Sequence, residues 1–174
     1  MKQNRKTQTP DGVYDYLPKE SRLKSYFSDK IIFEFKSWGY EKTEVPVLEF
    51  LDVYQGTQNY EFADKIFKTV DNKGRLLALR PDITTSVARM AATKMKNEPM
   101  PLKLYYKGDV FTCGVTEAHK AAQSTQIGVE LIGDSSYEAD AEVIALAISS
   151  LLKCGFDNFQ IEIGQVAFFK GLML

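Results

Sequence analysis

Leu102-Lys103-Leu104-Tyr105-Tyr106-Lys107-Gly108-Asp109-Val110-Phe111 and Gln126-Ile127-Gly128-Val129-Glu130-Leu131-Ile132 are the two stretches on which the fold turns. Both are rich in Tyr, Val, Ile and Leu, which suit a pleated, half-buried surface, so both read as strands. The connection between them, Thr112 to Thr125, is long and polar and reads as a loop near a site. Side chains alternate along a strand. Gln126, Gly128 and Glu130 therefore share one face, and Ile127, Val129 and Leu131 share the other.

Working outward, Ser21 to Trp38 places Leu23, Phe27, Ile31, Phe35 and Trp38 at helical spacing between charged residues, which predicts an amphipathic helix stopped by Gly39. Glu44 to Phe50 alternates around Pro46 and reads as an edge strand or a strand entry. Ile66–Val70 and Leu76–Leu79 flank Asp71-Asn72-Lys73-Gly74 and read as a hairpin. Lys65, Lys68, Lys73 and Arg75 around it read as a solvated turn. Arg80-Pro81-Asp82 opens a second helix, with Pro81 in its first turn and a run to about Lys96. Asp134 to Lys153 forms a third, with Val143, Ile144, Ala147, Ile148, Leu151 and Leu152 on its apolar face. Phe159 to Ile163 alternates as a strand, and Gln165 to Leu174 begins a short helix. Long loops and this order predict an α+β fold, an antiparallel sheet with helices on one face. Residues 1–9 are expected to be a flexible N-terminus and 10–174 a single core domain whose apolar end at Leu174 reads as cut short.

The 174 residues carry 22 Lys and Arg against 23 Asp and Glu, one His and two Cys. Near-neutral charge argues against a dedicated nucleic-acid binder, which shows a basic excess. His119, Cys113 and Cys154 make no metal motif and no disulfide framework. No stretch reaches the roughly 20 apolar residues of a membrane span. The polar, basic start lacks the apolar segment of a secretion signal. The chain reads as a cytoplasmic domain with no cofactor and no metal.

Three groups could carry chemistry. A Gly between Gln126 and Glu130 leaves a hollow, and an amide beside a carboxylate suits an ammonium or imidazole. The competing reading is a solvated sheet face with Gly at a bulge. Asp82, Thr84 and Thr85 at a helix start are explained by capping alone. His119 beside Glu117 and Lys120 could be a general base, but no nucleophile stands at a spacing that completes a triad, which favours a solvated loop. No phosphate-binding glycine motif is present.

In order and spacing, these segments resemble the catalytic core of class II histidyl-tRNA synthetases, over nearly the whole chain from Thr9-Pro10-Asp11-Gly12 to Ile161-Glu162-Ile163-Gly164. Gly39-Tyr40 through Val45-Pro46-Val47-Leu48-Glu49 looks like the first class II motif, whose proline lies at the dimer interface. Leu79-Arg80-Pro81-Asp82-Ile83-Thr84, with Ala88-Arg89 after it, resembles the segment that binds the amino acid's ammonium group. Tyr105 to Phe111 resembles the first strand of the second motif, and Gln126 to Glu130 the strand under the histidine pocket. Within the superfamily the chain looks most like the regulatory subunits of ATP phosphoribosyltransferase, which tend to have Asp where Asp82 stands.

The resemblance also has gaps. Synthetases follow Phe111 with an arginine that holds the ATP α-phosphate, and here Thr112 stands there. Gly114 replaces an acidic residue of the ATP site, and Lys120-Ala121 replaces a Gly-Arg segment. A bidentate arginine on a phosphate is hard to replace. The resemblance thus implies a class II synthetase-like antiparallel sheet flanked by helices, with a degenerate ATP site at Thr112, Gly114 and Lys120. It implies histidine contacts from Asp82, Thr84, Gln126 and Glu130, without catalysis. The implied partners are the short-form catalytic ATP phosphoribosyltransferase and a second copy of the chain, with histidine as feedback effector, no membrane and no nucleic acid. Two rivals remain: a fragment of a histidyl-tRNA synthetase, and a free-standing amino-acid-binding module.

Overall fold

A computed structural model describes residues 5–55, 65–113, 121–164 and 171. After a short 3-10 turn at Arg5–Thr7, the order is α1 (Pro18–Ser37), β1 (Glu41–Lys42), β2 (Leu48–Phe50), α2 (Asp52–Gln55), β3 (Lys68–Val70) and β4 (Leu76–Leu79). Then come α3 (Thr84–Lys94), β5 (Leu102–Phe111), β6 (Gln123–Ile132) and α4 (Tyr137–Lys153). Among the described residues the strands form two three-stranded sheets, ordered β1-β5-β6 and β2-β4-β3.

The ladder between β5 and β6 is the backbone of the domain. It runs antiparallel from Leu102 opposite Ile132 to Phe111 opposite Gln123. β6 starts three residues before the expected Gln126. Asp109 explains the extension: its carboxylate accepts hydrogen bonds from Thr125 Oγ1 at 2.6 Å and Gln123 Nε2 at 3.0 Å, which draws polar residues into the strand. Burial pushes the Asp109 carboxyl up, but those two bonds and the Lys24 and Arg80 charges outweigh it and hold it below its ordinary value.

The sheet is not wholly antiparallel, because β1 joins β5 in parallel, Glu41 beside Leu104 and Lys42 beside Tyr105. The expected strand around Pro46 divides instead into β1 and β2, and Pro46 lies between them, where no ladder needs its missing N–H. The hairpin forms as expected from β3 and β4. Its turn is held by Asp71, whose carboxylate takes the N–H groups of Lys73 and Arg75 and the Arg75 Nε.

Helices cover both faces of the β1-β5-β6 sheet rather than one. On one face Tyr105, with Ile127, Val129 and Leu131, packs with Phe35 of α1 and Leu146 of α4. On the other, Leu102, Leu104 and Tyr106 pack with Ile83 and with Val87 and Ala91 of α3. Leu146 and Val87 are fully buried, each contributing roughly 1.5–3 kcal/mol of transfer free energy. α1 starts on Pro18, with the Glu20 carboxylate reaching back to the Leu17 N–H at 3.0 Å. The expected core residue Leu23 is 57% exposed, since the helix turns Ile31, Phe35 and Trp38 inward instead. α4 is capped by Ser136, whose hydroxyl accepts the Ala139 N–H at 3.2 Å. It buries Ala139, Leu146 and Ser150, a row one step round from the expected one. Phe159 to Ile163 is exposed and forms no strand: alternation gives a strand its faces but does not supply a neighbour to pair with. The helix expected over 165–174 lies outside the described residues, apart from Gly171. No helix among the described residues is long and apolar enough to cross a membrane.

Candidate amino-acid site

The site forms where β4 ends, α3 begins, and β5 and β6 run beneath. Arg80 closes this junction. It is 6% exposed, and its guanidinium donates from Nε to the Asp109 carbonyl at 2.8 Å and from Nη1 to the carbonyls of Val45 at 2.8 Å and Pro46 at 3.3 Å. Its main chain binds Val47 O through N–H and takes the Phe111 N–H on its carbonyl, both at 3.0 Å. A Cβ on Gly108 would collide with the guanidinium, so only glycine lets the strand pass so closely.

α3 starts at Thr84, later than expected, and Pro81 precedes the helix rather than occupying its first turn. Asp82 provides the cap. Its carboxylate accepts the Thr85 N–H at 2.9 Å and the Thr85 hydroxyl at 3.3 Å. Gln126 serves the same helix start from β6, its Oε1 accepting the Ile83 N–H at 2.9 Å. An N–H that the helix leaves unpaired is thus satisfied by a side chain from the sheet.

Tyr106 is the hub that local sequence reasoning missed. Register places it opposite Gly128, and its ring fills the hollow expected there. A Cβ on Gly128 would lie 2.5 Å from the Tyr106 hydroxyl. Ligand access through that gap is therefore excluded. Only the pairing of β5 with β6 brings these residues together, and no local pattern encodes it. The phenol donates to Glu130 Oε1 at 3.3 Å, which leaves the Thr84 hydroxyl to donate to the phenol oxygen, also at 3.3 Å. Burial pushes the Tyr106 hydroxyl up. The Thr84 bond opposes this, and the Glu130 and Asp82 charges reinforce it, so the phenol keeps its proton.

Asp82, Thr84, Gln126 and Glu130 thus gather around Tyr106 and the start of α3. Asp82, Gln126 and Glu130 are half-buried and Thr84 is exposed. Among the described residues, neither Asp82 nor Glu130 has a cationic partner. Two partly desolvated carboxylates around one phenol could receive an ammonium or imidazolium, with the buried Arg80 charge, held on carbonyl oxygens, opposing them at the same junction. Thr112 sits at the end of β5, its N–H bonded to the Ala122 carbonyl at 2.9 Å. The Ala122 N–H in turn reaches Gly12 O at 2.7 Å, which docks the N-terminal turn beside it. Gly114, Glu117, His119 and Lys120 lie outside the described residues.

The fold is that of a class II synthetase-like α+β domain. A family model described as histidyl-tRNA synthetase matches residues 12–174, and the chain belongs to that family. Within it, the chain is 46% identical over 168 residues to the ATP phosphoribosyltransferase regulatory subunit of Acetivibrio thermocellus, covering 97% of this chain and 40% of the relative. The crystal structure of an ATP phosphoribosyltransferase regulatory subunit/histidyl-tRNA synthetase from Bacillus halodurans superposes with a TM-score of 0.89 at 35% identity, over 99% of this chain and 44% of that one. Apo histidyl-tRNA synthetase from S. aureus superposes with a TM-score of 0.72 at 28% identity, over 86% of this chain and 35% of that one. The chain spans about two fifths of the length of the curated relatives it matches.

Proposed function

We propose that this chain is the synthetase-like part of a regulatory subunit of ATP phosphoribosyltransferase, binding histidine without catalysing a reaction itself. It would act in the cytoplasm with the short-form catalytic subunit. There it would support the condensation of ATP with phosphoribosyl pyrophosphate that begins histidine biosynthesis, and would transmit feedback inhibition by histidine. Inhibition requires that histidine bind one state of the assembly better than another. The names of the curated relatives support the assignment. The observation that carries the ligand class is the pair of carboxylates, Asp82 and Glu130, around the protonated Tyr106, with no cation beside either among the described residues. Thr112 supports a lost nucleotide function, because a hydroxyl cannot supply a bidentate cation to a phosphate.

Calorimetric titration with histidine and then ATP tests this reading, with histidine heat and no ATP heat as the expected result. ATP binding with adenylate formation would instead establish the second reading, a synthetase fragment, whose name the matching family model carries. Co-purification with the transferase and no histidine binding would move the effector site to the subunit interface. If the chain neither binds histidine nor retains the transferase, the regulator is excluded.

The β2-β4-β3 sheet supports the homodimer. Register puts Leu48 beside Leu79 and Phe50 beside Leu77 on its outer face. Leu48 is 45% and Phe50 44% exposed, with Phe67 on the same side and the Arg75 guanidinium 4.7 Å over the Phe50 ring, so the face is largely apolar with one cation upon it. Leu48→Asp is expected to weaken self-association at least tenfold in sedimentation equilibrium while leaving the far-UV circular dichroism unchanged. Undiminished pairing would place the dimer contact elsewhere.

A further inference from the structure

Arg80 carries a charge that its neighbours do not neutralise. It is 6% exposed, and a guanidinium keeps its charge inside a protein. Buried charges are ordinarily paired, because an isolated one is costly to desolvate. Among the described residues no carboxylate forms an ion pair with Arg80. The carbonyls of Val45, Pro46 and Asp109 accept from Nη1 and Nε, but they are neutral. The Asp109 carboxylate spends its oxygens on Gln123 and Thr125. Nη2 has no acceptor among the described residues. It is not sealed off either, since Ser150 Oγ is the one fully buried side-chain donor or acceptor among them left without a partner. Nη2 lies against Gly108, whose missing Cβ leaves room for it.

The guanidinium lines a cavity of about 170 Å³ at the open edge of β5, walled in part by Thr43, Val47, Ile83, Tyr106 and Lys107. β1 ends at Lys42, and the Thr43 N–H makes the last bond to that edge, on the Tyr105 carbonyl at 2.9 Å. Arg80 takes up the same edge again at Asp109 and Phe111. In a strand the N–H and C=O groups of every second residue face one edge. Lys107 falls between those points of attachment, so its N–H faces the cavity, and no described residue accepts it. Two donors, one cationic and one from the backbone, thus converge on a gap in the ladder. Glu44, the carboxylate in the wall, is exposed and paired with Lys42.

We propose that this cavity binds a small oxyanion, a phosphate or a carboxylate group, between Arg80 Nη2 and the Lys107 N–H. The anion completes a charge-assisted pair with the guanidinium and supplies the acceptor that β5 lacks at this point. The cavity is smaller than a site that encloses a whole drug-sized ligand, and it has room for one such group. The proposal needs neither histidine binding nor dimer formation, so it stands or falls apart from the proposed function. The test is titration of the chain with inorganic phosphate, and separately with acetate, at an ionic strength held fixed with chloride. The Arg80 Nε–H resonance is followed in ¹H–¹⁵N spectra, and thermal unfolding is recorded on the same samples. For at least one anion that resonance is expected to move saturably, half-way in the low millimolar range, with a rise in unfolding temperature. The anion that binds more tightly identifies the group the site takes. Val47 is 41% exposed, so its side chain can be changed without disturbing the core. Val47→Asp puts a fixed negative charge in the wall and is expected to weaken binding roughly tenfold or more, whereas the uncharged Val47→Asn weakens it less than about threefold. Should Val47→Asp fail to fold, the wild-type Arg80 resonance decides alone. If neither anion moves that resonance saturably, the cavity holds only water and the proposal fails. Anion binding that leaves the Arg80 resonance still, or that keeps full strength in folded Val47→Asp, belongs to surface lysines and equally overturns it.

Discussion

Glu130→Ala is expected to lower histidine affinity about thirtyfold and to leave the unfolding temperature nearly unchanged. The carboxylate is half-buried, and among the described residues its one side-chain bond is the long contact from the Tyr106 hydroxyl at 3.3 Å. Removing it therefore withdraws little from the folded state itself. A ligand ammonium would lose a charge-assisted bond worth about 2 kcal/mol, which is the basis of the expected factor. Glu130→Gln keeps the shape and removes the charge, so it should fall almost as far. Calorimetry with histidine, and thermal unfolding of the same samples, separate the two roles. Unchanged affinity would remove Glu130 from the site, and a large drop in unfolding temperature would make it structural.

Gly128→Val has the second large effect, on stability and binding together. The added Cβ falls 2.5 Å from the Tyr106 hydroxyl and 2.7 Å from the ring carbon that bears it. Tyr106 is 4% exposed and packed with Ile83 and Leu104, so it has no free space to move into. Overpacking of this kind costs about 1–3 kcal/mol. Displacing the phenol also breaks its bonds to Thr84 and Glu130, so histidine binding is expected to fall at least tenfold. Urea unfolding and calorimetry read the two effects. A variant of wild-type stability would show that the ring is not fixed over Gly128.

What the sequence made legible follows from where the information lies. β5 emerges with its full range because ten consecutive residues suit a strand, and the shared face of Gln126, Gly128 and Glu130 follows from alternation alone. The hairpin of β3 and β4 is encoded by its turn, which Asp71 then stitches. β1 is two residues long and finds its parallel partner far along the chain, so nothing near Glu41 announces it. Gln123 to Thr125 look like loop residues until Asp109 arrives opposite them. The same applies to the site. Gln126 and Glu130 stand out as candidates by alternation and Asp82 and Thr84 through a resemblance, whereas the places of Tyr106 and Arg80 depend on neighbours supplied by other elements.

Under the proposed regulatory reading, Thr112 marks a point where function can change while the architecture is kept. Its place at the end of β5 is held by its own N–H on the Ala122 carbonyl, and among the described residues its hydroxyl carries no hydrogen bond. The backbone does the structural work there, so selection on folding is nearly blind to which side chain follows Phe111. Arg80, Gly108 and Gly128 have no such freedom, because each is wedged against a neighbour. An arginine or a threonine could stand at position 112 with little difference in stability, because the bond that fixes this point of the chain is made by the backbone. Under the proposed reading, nucleotide chemistry can therefore be lost here while the scaffold and the carboxylates beside Tyr106 stay in place.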